Sequence, residues 1–136
     1  MIEFETRFYI TNLNKFVDFI FLPTFETGCQ IFLSKELGKV LYWFDSWELD
    51  GYEIYFAIDI QDRISYLNPR GLFLMYDVEF AILDGDKMTF FDADWIKEKV
   101  LKEEIDDELL TSYIVLEYFR KQVKTKKGGQ EWENWF

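Results

Sequence analysis

Residues 52–60 alternate without a break, with Tyr52, Ile54, Phe56, Ile58 and Ile60 on one side and Glu53, Tyr55, Ala57 and Asp59 on the other. A period of two is that of a strand with one face toward a core and the other toward water. Residues 2–10 repeat it: Ile2, Phe4, Thr6, Phe8 and Ile10 oppose Glu3, Glu5, Arg7 and Tyr9. Residues 72–82 read the same way, with Leu72, Leu74, Tyr76, Val78, Phe80 and Ile82 sharing a side. Three such segments commit the chain to a sheet, and half-polar strands favour an antiparallel one.

The remaining segments fill in an order of elements. Leu13, Phe16, Val17, Ile20 and Phe21 recur at spacings of three and four after Thr11-Asn12, which predicts a helix over 12–22 ended by Pro23. Cys29–Leu33 and Lys39–Phe44 read as strands joined by a turn ending at Gly38. Asn68-Pro69-Arg70-Gly71 predicts a turn before the 72–82 strand. Asp84-Gly85-Asp86 closes a hairpin onto Lys87–Phe91, and a three-residue loop would set Phe80 opposite Phe90 and Ile82 opposite Met88. Beyond Asp92 the period changes. Trp95, Ile96, Val100, Leu101 and Ile105 share a helical face capped by Asp92 or Asp94. Asp106-Asp107-Glu108 opens a second helix running to about Lys124; its core over 109–123 is apolar nearly all round and fits either a buried helix or a strand. The expected fold is α+β: one domain over 1–124, a mainly antiparallel sheet of about six strands, one N-terminal helix and two C-terminal helices. Residues 125–136 read as a tail with a Gly128-Gly129 linker and an aromatic peptide.

Composition removes several chemistries. The chain has no histidine, which excludes Ser-His-Asp and Cys-His catalysis and imidazole–metal sites. Its single cysteine, Cys29, excludes an intramolecular disulfide and reads as a small core residue. No phosphate-binding glycine loop, nucleophile elbow or complete calcium loop is present, and no cofactor is expected. The N-terminus has neither a basic stretch nor an apolar core of a signal peptide, and a cytoplasmic setting is expected. No run of consecutive apolar residues, Phe19–Leu22 ahead of Pro23 included, exceeds five, far too short to span a bilayer. The 28 aromatic residues would each bury roughly 150–250 Å² if enclosed, more than a single small core is expected to hide, so some belong at an interface.

Charge is the most uneven property. Of a net −11, the segment from Asp45 to Asp94 carries −9, with twelve acidic residues against Arg63, Arg70 and Lys87. Such a field selects partners by sign: it disfavours nucleic-acid backbones and anionic membranes and favours a basic protein. If strand 52–60 pairs with strand 72–82, Glu53, Asp59, Asp77 and Glu79 share a polar face and Glu53 opposes Glu79. Like charges so placed cost a few tenths to about 1 kcal/mol, which a cation, a basic partner, Arg63 or Arg70, or water would offset. Asp45, Glu48 and Asp50, with Trp47 beside them, extend this candidate partner-binding face; no metal site is assigned. Arg120, Lys121, Lys124, Lys126 and Lys127 fit the C-terminus of a helix better than a nucleic-acid site. Trp132, Trp135 and Phe136 form either a docking peptide or a staple onto the chain's own core.

These readings converge on a non-enzymatic acidic module that inhibits or adapts a partner by covering a basic, nucleic-acid-binding type of surface. Two alternatives stand: a self-assembling structural subunit, or a small-molecule or divalent-cation binder with carboxylate chemistry. Oligomeric state is left open, a dimer included.

Overall fold

In the computed structural model, residues 4–22, 29–44, 46–62 and 69–127 are described here. The strands are β1 (Phe4–Ile10), β2 (Lys15–Leu22), β3 (Cys29–Ser34), β4 (Lys39–Phe44), β5 (Glu48–Leu49), β6 (Tyr52–Asp59), β7 (Glu79–Asp84) and β8 (Lys87–Phe91). The helices are α1 (Pro69–Met75), α2 (Asp94–Leu101) and α3 (Asp107–Lys127). Strand order is β4-β3-β2-β1-β8-β7-β6, and an added β4–β6 pairing closes these seven strands into a barrel with β5 outside on β6. The chain is therefore a single α+β domain, antiparallel except where β1 runs parallel to β8.

Closure explains why both faces of the central strands are buried. Rings from strands that are not neighbours meet inside: Phe8 lies 6.0 Å from Phe32, and Phe32 5.8 Å from Tyr55. In-register partners place Val17, Leu41, Ala57 and Ala81 on the same inner surface. The outer face of β6 to β8 is roofed by helices, with Phe56 of β6 5.3 Å from Phe73 of α1 and Phe91 of β8 6.4 Å from Tyr118 of α3. Ile54, Tyr55, Phe56, Ala57 and Ile58 are consequently all buried, although alternation alone predicts one wet face.

Several expectations are corrected. The N-terminal helix over 12–22 is absent. Thr11–Asn14 is a turn, with Asn14 in the left-handed region, and 15–22 is strand β2, paired Phe8↔Val17 and Ile10↔Lys15. Asn12 does not cap a helix; its amide donates to Phe90 O and accepts from Phe90 N–H, which continues β8 sideways. Apolar spacing in this segment fits both periods, and its Phe, Val and Ile content favours the strand once β1 offers an edge.

The strand over 72–82 is divided. Pro69 sits at the first position of α1, where its missing N–H costs nothing. The turn expected at 68–71 is thus a helix start, with Asn68 itself outside the described residues. Leu72 and Phe73, adjacent in sequence, are both buried while Leu74 and Met75 are exposed, as one helical turn requires. A continuous apolar run does not specify its period.

Two registers also differ. β6 and β7 are antiparallel neighbours, but Glu53 pairs with Leu83 and Ala57 with Glu79, so Glu53 and Glu79 do not face each other. The β7–β8 loop has two residues, Gly85 and Asp86, which sets Phe80 opposite Phe91 and Asp84 opposite Lys87. Gly85 has φ 66°, the conformation that such a short loop demands of its first residue.

The C-terminal helices form as expected, and 109–123 is helical. Ala93, not Asp92 or Asp94, is the cap residue of α2, whereas the Asp106 carboxylate does accept the Leu109 N–H at the start of α3. α3 continues to Lys127, past the boundary expected at 124; residues 128–136, with the aromatic peptide, lie outside the described residues.

Candidate functional site

One end of the barrel is acidic. Asp50 (φ 52°) and Gly51 (φ 84°) make a two-residue loop with both residues left-handed, the turn for which Asp-Gly is suited. That loop sets Glu48 directly opposite Glu53. The pairing Glu53↔Leu83 then brings the β7–β8 loop to the same end, adding Asp84 and Asp86. Glu53 is half-buried, while the other four are exposed. Burial first, and then the neighbouring Glu48, push the Glu53 carboxyl above its usual range.

Elsewhere acids are matched with bases: Arg7 with Asp18, Lys15 with Glu36, Lys97 with Asp92, Arg70 with Glu103, and Lys99 with Glu104. Among the described residues no ion pair involves Glu48, Asp50, Glu53, Asp84 or Asp86.

The other end holds a different constellation. Lys39 Nζ lies 2.8 Å from Asp59 Oδ1 and 3.0 Å from Glu79 Oε1. The registers Lys39↔Asp59 and Ala57↔Glu79 bring the three together. Burial pushes the lysine down, but its bonds to Asp59 and Glu79 outweigh this and the net direction is up. Beside this triad opens a cavity of about 200 Å³, lined by Lys39, Glu79, Ile10, Leu13, Leu37 and Phe90.

The candidate residues are thus redistributed. Asp59 and Glu79 meet at the mouth with Lys39 as their cation; Glu53, Glu48 and Asp50 gather at the opposite rim. Asp77 is exposed between α1 and β7. Trp47 is buried, 4.3 Å from the Phe56 ring, and its carbonyl accepts from Ile54 N–H and Trp43 Nε1–H, so it lies in the core. Asp45, Arg63, Trp132, Trp135 and Phe136 lie outside the described residues. Arg70 turns away to Glu103. Sequence reasoning missed Lys39, whose signal was its place opening a strand after Gly38, and passed over Asp84 and Asp86 as turn residues only.

A third polar group joins the two C-terminal helices. Glu117, 2% exposed, accepts from Trp95 Nε1 at 2.6 Å and from Arg120 Nε at 2.7 Å. Among the described residues no cluster of three or more His, Cys, Asp or Glu is placed to hold a metal ion, and no helix is long and apolar enough to cross a membrane. Compared with known protein families, curated proteins and solved structures, the chain matches none.

Proposed function

We propose that this chain is a non-enzymatic interaction module whose acidic barrel rim covers a basic surface on a partner protein. The supporting observation is the contrast between the two ends. At the mouth Lys39 bridges two carboxylates, whereas at the rim Glu48 opposes Glu53 and neither forms an ion pair among the described residues. Lys87 stands opposite Asp84, but a basic partner supplies the counter-charge that Glu48 and Glu53 lack, and relieves the cost of that like-charged pair. Association of this kind is fast and weakens with salt.

The test is capture from host lysate by tagged wild-type protein and by Glu48→Lys/Asp84→Lys, at about 100 mM and about 500 mM NaCl. A basic protein held by the wild type at low salt, lost at high salt and lost in the variant supports the reading. Equal capture by the variant removes the rim as the site.

Self-assembly draws support from one specific feature. Leu109, Leu116 and Phe119 are 39–50% exposed on α3, near exposed Trp95 of α2. Light scattering that reports a large species persisting in high salt would favour that reading instead.

A further inference from the structure

We infer that the mouth of the barrel opposite the acidic rim is a binding site for a small amphipathic primary amine. The argument begins with charge. One ammonium, Lys39, stands between two carboxylates, Asp59 and Glu79, so the group carries a net −1. An anionic ligand meets that net charge and finds the Lys39 ammonium already committed to two carboxylates. An organic cation completes an alternating set of two positive and two negative groups.

Position supports the same choice. Lys39 uses Oδ1 of Asp59 and Oε1 of Glu79, which leaves the second oxygen of Glu79, a cavity-lining residue, to accept from an incoming ammonium. Asn12, also at the mouth, is spent on both backbone groups of Phe90 and serves as a wall.

The rest of the lining selects the ligand's body. Ile10, Leu13, Leu37 and Phe90 present apolar surface, and Leu13 is 49% exposed in the turn that overhangs the opening. At about 200 Å³ the cavity is smaller than the roughly 300–1,000 Å³ of drug-sized sites, so it suits a short alkyl or aryl chain. The mouths of β-barrels are a recurrent place for such sites.

n-Hexylamine, n-hexanol and n-hexanoate separate the charge and the body, with titrations followed by backbone amide NMR on the full chain. The amine is expected to give saturable shifts at residues 12–13, 37–39, 79 and 90. Hexanol should bind about tenfold more weakly, a difference near 1.4 kcal/mol, and hexanoate should give no shifts there. Glu79→Gln is expected to bring the amine down to the level of hexanol. Leu13→Ala, at a half-exposed turn position, should weaken amine and alcohol alike. Equal binding of amine and alcohol would overturn the inference, as would an absence of shifts at the mouth. Amine shifts confined to Glu48, Glu53 and Asp84 would overturn it too, since they would report only general attraction to the acidic rim.

Discussion

Burial acts on Glu53 and Glu117 in the same sense, yet the two carboxyls move in opposite directions. At Glu117 burial pushes the carboxyl up, and the bonds from Arg120 and Trp95 more than reverse it, so its net direction is down. At Glu53 burial and the facing Glu48 act together, and the net direction is up. The signs of the stability effects follow. A carboxyl lowered in the folded state stabilises above the ordinary glutamate range and loses that contribution as pH falls through its folded value. A raised one favours the fold below that range and weighs against it as pH rises through its folded value. Glu117→Gln should therefore cost about 1–3 kcal/mol in urea unfolding at neutral pH, with the cost shrinking in acid. Glu53→Gln should stabilise by a few tenths to about 1 kcal/mol at neutral pH, with the gain vanishing below the ordinary glutamate range. Two pH series of unfolding midpoints, one per variant, check both; parallel slopes would refute the assignment.

Strand β2 is the element on which helical and extended readings disagree most sharply. A helix over 12–22 groups Leu13, Phe16, Val17, Ile20 and Phe21 and leaves Phe19 off that face. The strand buries Val17 and Phe19 at 1% and 0% exposure and turns Phe16 outward at 51%. Phe19→Ala should then cost about 3–5 kcal/mol. Phe16→Ala should cost no more than the loss of its edge contact with Tyr9, about 0.5–1.5 kcal/mol. Chemical denaturation of the two variants decides between the readings, since a helix would reverse the order. The same contrast explains what was legible. β1, β3, β4 and β6 were readable because polar residues or turn residues punctuate them, as Glu53 and Asp59 do in β6. In β2 and α1 apolar residues follow one another, and only the neighbour that each segment packs on chooses its period. Phe73 is helical because it meets Phe56 and Phe80 on the outer barrel face, a contact no local pattern announces.

Closure of the barrel governs what the molecule can offer a partner. The β1–β8 and β4–β6 pairings close the seven strands into a ring, with β1 joined to β8 at Tyr9 and Ile10, so the surfaces left for contact are chiefly side chains at the two ends and the helical roof. Closure also decides which acids meet. The charge excess between Asp45 and Asp94 was legible from residue counts, but its division between two ends depends on the β6–β7 register, which sends Glu53 to one end and Glu79 to the other. A shift of a few residues would have put them face to face. The two ends should therefore respond separately. Reversing the exposed pair at the rim, Glu48→Lys with Asp84→Lys, should leave the unfolding free energy within about 1 kcal/mol of wild type, because neither residue is buried or ion-paired among the described residues. Removing the cation at the mouth, Lys39→Met, should destabilise instead. It leaves Asp59 and Glu79 as unscreened neighbours, and that loss should shrink as salt rises or as acid protonates the carboxylates. Unfolding curves at low and high salt test the pair of variants together: a rim variant that unfolds as readily as Lys39→Met would mean that the rim's charges hold the fold together and are not held in reserve for a partner.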